Sequence, residues 1–383
     1  KLSARGAVSG GAQVLSFTAR LIGGRHPNKV QQELINKTLG CSRLVYNKGL
    51  AFRNEKYAKG EKVGYNQTSA MLTAMKKEEK YSFLNEVDSI ALQQSLRDLE
   101  KAFVRFFEKK ANHPVFKSKH HYQLSYRTVN QKGNNKDSIR IEGNRIRLPK
   151  LGLLKFRQTM EVGHINNVTV RRTATGKYFV ILNVDFEPEK LESSSNFTGI
   201  DVGIKSFYTD SNGNVVNNPK YLEKSQQKLK REQRKLSRKK KNSRNRQKQR
   251  LKVARVHEKI ANQRNDFIHK CTTKLINENQ VIAVEDLNIK GMLKNHKLAK
   301  SISSVAWSKF FETLEYKAEW YGRKVIKVPT MYPSSQTCSK CGYKNTLVKN
   351  LSVREWECPC CHARHDRDFN ASVNILNKGL SVA

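Results

Sequence analysis

Apolar positions recur along this chain with two different periods, and the changes of period mark out its parts. Over residues 14–21 apolar and polar side chains alternate as in a strand. Pro27 then opens a helical pattern with Leu34, Ile35 and Leu39 on one face. Helical spacing continues over 42–57, 66–77 and 88–107, the last carrying Ile90, Leu92, Leu96, Leu99 and Phe103. Together these predict a small helical domain over 27–110.

The texture changes after Pro114. Residues 138–148 are apolar at Ile139, Ile141, Ile146 and Leu148 around a Gly-Asn turn, and 168–172 with 178–185 flank Ala174-Thr-Gly176. Both read as hairpins. Short strands with polar outer positions imply a small barrel, which the strand near residue 17 could return to complete; the helices at 27–110 would then be an insertion inside it. Residues 187–195 form a polar, proline-containing linker.

Beyond the linker, Phe197, Ile200, Val202 and Ile204 with small Gly199 and Gly203 predict a short central strand, and Asp210-Ser-Asn-Gly-Asn214 a turn that folds the next strand back. Asp201 stands in the middle of that buried strand. A buried carboxylate is costly unless it is paired, hydrogen-bonded or bound to a metal, so Asp201 asks for a ligand. A second core strand, Val281-Ile-Ala-Val284, ends in Glu285 and Asp286, at the strand end where open α/β sheets place ligands. A helix over 304–321, packing through Trp307, Phe310, Phe311, Leu314 and Tyr316, and a strand over 324–328 follow.

Composition narrows the function. The 383 residues hold 73 Lys and Arg against 33 Asp and Glu, a formal net charge of +40, which favours a polyanionic partner, nucleic acid first and an anionic membrane second. Residues 220–270 concentrate this charge, with 20 Lys and Arg against 4 acids, while Leu222, Leu229, Leu236, Leu251, Ile260, Phe267 and Leu275 supply a packing stripe. They predict a helical hairpin whose basic face, including Lys228, Arg231, Arg238, Arg246 and Lys252, meets a phosphate backbone. No run of about 18 apolar residues and no secretory core is present, so nothing is expected to span a bilayer, and a cytoplasmic protein is expected. Residues 1–12 read as disordered or expression-derived, and Lys1 is not an initiator, so the natural start is expected to be processed or missing.

Seven cysteines are odd in number and four cluster, which suits an intracellular metal site better than disulfides. Cys338-Ser-Lys-Cys341 and Cys358-Pro-Cys-Cys361 form two knuckles able to wrap one tetrahedral ion, and thiolate-only ligation favours structural zinc. Cys338, Cys341, Cys358 and Cys361 give matching knuckles; Cys360, His362 and His365 stand close by, and Cys41 and Cys271 read as ordinary buried residues. Next comes His365-Asp-Arg-Asp-Phe-Asn-Ala371, in which Asp368 can begin a helix and hold its carboxylate at the favourable N-terminus. One cap explains one acid, not Asp-Arg-Asp.

The set Gly199-Ile-Asp-Val-Gly203, Val284-Glu-Asp-Leu287, Ser334-Ser-Gln336, the two cysteine knuckles and His365-Asp-Arg-Asp-Phe-Asn-Ala371 resembles the TnpB family, transposon-encoded RNA-guided nucleases related to the type V CRISPR effectors. Gln32-Glu-Leu-Ile-Asn36 and Arg43-Leu-Val-Tyr-Asn47 look like the family's opening helices, and the resemblance runs over 27–377. Leu21-Ile-Gly-Gly-Arg-His26 departs from it, since the family's first strand usually leads straight into a proline.

The resemblance implies a multidomain α+β and α/β fold: a split, barrel-like wedge domain over 13–26 and 111–190, a helical recognition insertion over 27–110, and a RuvC-like nuclease of the RNase H type over 196–332 and 362–383. The basic hairpin occupies 220–278 and the zinc ribbon 333–361. It also implies a catalytic triad of Asp201, Glu285 and Asp368 holding two magnesium or manganese ions about 4 Å apart, Asp201 between them, for hydrolysis that leaves a 5′ phosphate. Asp286 and Asp366 remain alternative ligands. Further implications are a guide RNA, double-stranded target DNA beside a short flanking motif, a displaced single strand, a monomer in the complex, and Tyr65, Ser69 and Gln93 as readers of that motif. The competing reading is a guided DNA-binding repressor or transposition accessory factor that does not cut. Actin-like ATPases share the Gly-Ile-Asp-x-Gly opening, but the glycine-rich loops they need for phosphate are missing after residue 203.

Overall fold

The computed structural model describes residues 8–9, 12–20, 27–119, 124–131, 137–157, 162–186, 189–350 and 352–382. Most of residues 1–12 and the whole of 21–26 lie outside them. The chain divides into two compact units, Lys1–Glu187 and Pro188–Ala383.

The first unit runs β1 (Val8–Ser9), β2 (Ala12–Arg20), α1 (Lys29–Ala58), α2 (Tyr65–Lys77), α3 (Ser89–Phe107), β3 (Ser125–Val129), β4 (Arg140–Glu142), β5 (Arg145–Leu148), β6 (Gly152–Lys155), β7 (Ile165–Arg172) and β8 (Tyr178–Phe186). The two sequence patterns over 27–39 and 42–57 are one continuous helix, α1. Asn28, not Pro27, caps it: its side chain accepts from the Gln31 amide at 2.8 Å while the Gln31 side chain accepts from the Asn28 amide at 3.1 Å. Gly40 does not break the helix. A Cβ there would meet nothing within 4 Å, so the position is an open surface. α3 buries Leu92, Leu96, Leu99 and Phe103 against α1 residues such as Val45, Tyr46 and Leu50.

Among the described residues, no sheet closes into the barrel expected from the short strands. β1, β2, β8, β7 and β3 pair in that order as an open antiparallel sheet, and β4, β5 and β6 make a separate three-stranded meander. Closure would need continuous pairing around the ring with a fixed stagger. Here β2 joins β8 inside the open sheet, β1 is two residues long, and β3 at the other edge is packed by α3, with an ion pair from Arg127 to Asp98. An edge covered by a helix has no need of a closing strand.

The second unit runs β9 (Phe197–Val202), β10 (Ser206–Asp210), β11 (Val215–Asn217), α4 (Tyr221–Ser237), α5 (Arg244–Glu278), β12 (Val281–Glu285), α6 (Ile289–Met292), α7 (Ala299–Val305), α8 (Trp307–Tyr321), β13 (Lys324–Val328), β14 (Glu355–Glu357), β15 (Arg364–Asp366) and α9 (Arg367–Ser381). Its main sheet has the order β11-β10-β9-β12-β13, with β12 parallel to both β9 and β13 and the β9–β10–β11 portion antiparallel. The central strand ends at Val202; Gly203, Ile204 and Lys205 form the turn into β10. The helix expected from 304 breaks at Ala306, whose φ is 61°.

Side chains on a strand alternate between faces. Ile200, Ile282 and Val284 therefore point to one side, into a core with Ile268, Leu275, Phe310 and Leu314 of α5 and α8. Gly199 and Ala283 face the other side, where α9 lies, and Asp201 and Glu285 share that face.

Candidate active site and metal centre

β9 and β12 pair in register through Ile200 and Val284, so the next residues, Asp201 and Glu285, stand side by side at the ends of two adjacent parallel strands. α9 brings a third acid to them. The helix comes so close to β9 that a Cβ on Gly199 would lie 2.1 Å from the Ser372 carbonyl oxygen, and a Cβ on Gly379 would lie 2.6 Å from the Ala283 Cβ. Small residues at both crossings let the helix lie directly on the sheet, with Asp368 in its first turn.

Burial, first, and the facing Glu285 and Asp368 charges push the Asp201 carboxyl well above the ordinary carboxylate range. Glu285 is also raised by burial, opposed by a hydrogen bond donated by the Ser334 hydroxyl. An acid buried beside two others, and costly to ionise because of them, marks a site that favours positive charge. Arg354 supplies part of it. Its guanidinium lies 3.3 Å from both oxygens of Asp368, and the charges of Arg367 and Arg354 partly offset the shift at Asp201.

The repeated acids of Asp-Arg-Asp have separate tasks. Asp366, not Asp368, caps α9, its side chain accepting from the Phe369 amide at 2.8 Å. That leaves the Asp368 carboxylate available to the site. Asp286 is exposed beyond the end of β12, on a cleft of about 330 Å³ that it lines with Glu285, Phe311 and Lys327.

Cys338, Cys341, Cys358 and Cys361 converge, their sulfurs all within 4.8 Å of one another. The contacts of 3.6 Å between Cys338 and Cys361 and 3.5 Å between Cys341 and Cys358 are near the separation that one tetrahedral ion with about 2.3 Å metal–sulfur bonds imposes. Cys360 is exposed and outside the cluster. His365 is buried beside it, Nε2 3.1 Å from the Cys338 sulfur and its ring 4.8 Å from that of Trp356. Cys41 and Cys271 are buried in apolar cores.

The basic hairpin packs α4 on α5 through Leu229, Val256 and Ile260. Lys228, Arg231, Arg238 and Lys252 are exposed. Arg246 is half-buried and binds the Leu236 and Lys239 carbonyls at 2.8 and 3.0 Å, closing the hairpin tip. In the first unit, Tyr65 opens α2 and its ring lies under the Arg97 guanidinium at 4.4 Å. Arg97 is four residues from Gln93 on α3, so Tyr65 and the Gln93 face are neighbours; Ser69 is half-buried one turn along α2 from Tyr65.

Family models described as "Probable transposase", "Cas12f1-like, TNB domain" and "Helix-turn-helix domain" match residues 178–296, 307–375 and 26–62, the last falling mostly on the single helix α1. A Streptomyces pristinaespiralis protein named "Putative RNA-guided DNA endonuclease" is 40% identical over 363 residues, covering 94% of this chain and 88% of the relative. An Escherichia coli K12 protein, "Putative RNA-guided DNA endonuclease InsQ", is 34% identical over 93% of this chain and 91% of its own length. The chain belongs to the TnpB family. A chain in a cryo-EM structure of a Cas12f1–sgRNA–target DNA complex shares the fold, with a TM-score of 0.59 over 91% of this chain and 83% of that one, at 16% identity.

The TnpB motifs identified in the sequence did not reveal the contacts that position the acids. Ser334 on Glu285 and Arg354 on Asp368 join residues far apart in the chain, with no local period to announce them. Asn370 and Asn374, buried on α9, did leave a signal: two amides at i and i+4 within an apolar helical stretch.

Proposed function

We propose that this chain is an RNA-guided DNA endonuclease, which selects double-stranded DNA beside a short flanking motif through a bound guide RNA and hydrolyses it at Asp201, Glu285 and Asp368. The observation that carries the reading is the convergence of these acids on the α9 face, with Asp201 raised by its burial and its two neighbours. An all-oxygen donor set with mutually unfavourable charge fits magnesium or manganese. Such ions, when bound, would lower the pKa of the attacking water and offset charge on the leaving oxygen. Ser334 would hold Glu285 in one orientation, and Arg354 would steady Asp368 and add positive charge where the phosphate enters.

The four-cysteine cluster fits a closed structural zinc site. On this reading the helices within 27–110 read the flanking motif through Tyr65, Ser69 and Gln93. The nuclease spans 196–332 and 362–383 around the ribbon at 333–361. The exposed basic face of α4 and α5 meets guide, target or displaced strand, and the work is done in the cytoplasm of a transposon-bearing bacterium. No helix among the described residues is long and apolar enough to cross a membrane.

The test is to purify the protein with RNA from its host and supply a duplex matching that RNA, with magnesium. Guide-dependent cuts with 5′ phosphate ends are expected, and Asp201→Ala should bind the duplex without cutting. Guided binding with no cleavage by the parent, under any divalent ion, would instead establish the repressor reading.

A further inference from the structure

The geometry points to Asn370 and Asn374 as positioning residues: a buried amide pair that fastens the first cysteine knuckle to α9, so that the cysteine module aims two of the site's carboxylates. The inference rests on the nuclease reading above. Asn370 and Asn374 are 0% and 4% exposed, one helical turn apart on one face of α9. The Asn374 amide donates to the Ser334 and Thr337 carbonyls at 2.8 and 2.6 Å. That of Asn370 donates to the Thr337 carbonyl at 2.7 Å, and its oxygen accepts from the Ser339 amide at 2.9 Å. These four bonds bracket Cys338. Apolar side chains would pack a helix against a loop with no such demand, whereas buried amides must be fully matched and so fix one geometry.

Two relays leave this clamp. In the first, Asn374 holds the backbone of Ser334, and the Ser334 hydroxyl donates to Glu285. In the second, His365 contacts the Cys338 sulfur and lies tilted against Trp356, its cross-strand partner in the β14–β15 pair, next to which Arg354 reaches Asp368. Both relays end on acids of the site. Loosening the clamp should therefore weaken the site's hold on divalent cations while guided binding, made elsewhere, persists.

The experiment compares RNA-loaded parent, Asn374→Ala, Ser334→Ala, the double variant and Asp201→Ala for zinc content, target binding and cleavage rate across a magnesium series. Asn374→Ala should keep about one zinc per chain and parent-like target binding. Its half-maximal magnesium concentration should rise about tenfold, the size expected when the Ser334 bond to the Glu285 carboxylate is lost with the clamp, with the rate partly recovered at saturation. Ser334→Ala should shift the same way, and the double variant should add little, since both act in one relay. An unchanged magnesium midpoint in Ser334→Ala overturns the inference. So does a slower Asn374→Ala with an unchanged midpoint, the mark of simple destabilisation. If Asn374→Ala fails to fold, Ser334→Ala alone decides. Cleavage by Asp201→Ala at the parent rate would instead bring down the acid assignment itself, which separates the two failures.

Discussion

Gly199 of β9 and Ser372 of α9 touch backbone to backbone, leaving no room for a methyl group between the central strand and the helix that carries Asp368. Gly199→Ala should therefore lift α9 from the sheet, costing about 1–3 kcal/mol as overpacking commonly does, and should slow cleavage far more than target binding. Thermal unfolding and a cleavage time course check both. A stable, fully active Gly199→Ala would show that α9 can shift without disturbing the acids.

The two acids flanking Arg367 should separate cleanly. Asp366→Asn keeps a good capping side chain and should change stability and cutting little. Asp368→Asn should abolish cutting in a folded, target-binding protein. The reverse pattern would hand the ligand role to Asp366.

Zinc release should follow the geometry of the sulfurs. Cys338→Ser and Cys361→Ser should lose the metal and destabilise the module, because such metal binding contributes folding free energy. Cys360→Ser should keep it. Elemental analysis decides, and a metal-free protein that folds and cuts would refute the assignment.

A pH effect is expected from Lys317, buried at the α5–α8 interface, where its ammonium donates to the His269 carbonyl and the Thr272 and Thr273 hydroxyls. Burial pushes its pKa down to about 8 from 10.5. Between those values the unfolded chain holds the proton and the folded one does not, so stability should rise as pH climbs through that window, by at most about 3 kcal/mol. Cys271 beside it, its thiol pushed up to about 11 by burial, acts in the opposite sense above about pH 9, so the Lys317 slope is read from a difference in which Cys271 is common to both proteins. The stability difference between parent and Lys317→Met should show the slope. A flat difference from pH 8 to about 10.5 would exclude it.

Two kinds of DNA contact should also separate. Gln93→Ala should relax the flanking-motif profile in a randomised-library cleavage screen, whereas Lys228→Ala should weaken all targets alike and lower the salt dependence. An unaltered motif profile at parent rate would remove Gln93 from the readers.

Much of the nuclease unit was legible because its strands carry strong local patterns. Lys324–Val328 is the short strand expected there, and Val281–Glu285 is the parallel core strand. The hairpins at Gly143 and Gly176 were signalled by residues suited to positive φ, +58° and +80°. The barrel was misread because pairing order is non-local: alternation shows that a strand has two faces, not whether its last neighbour is another strand or, as at β3, a helix. The break between residues 39 and 42 was misread for a local reason, since Gly40 weakens a helix in isolation but α1 is held by its packed face. The family motifs named Asp201, Glu285 and Asp368, but their convergence depends on α9 lying against Gly199, which is a tertiary fact.

The distance along the chain between β9 and α9 gives the site a schedule. Asp368 leaves the ribosome about 170 residues after Asp201, roughly ten to thirty seconds later at common rates of synthesis. Until then the sheet can form without the helix that completes the set of acids. On the nuclease reading proposed above, a nascent chain whose basic hairpin is already made would still lack the third acid of the set until α9 is synthesised.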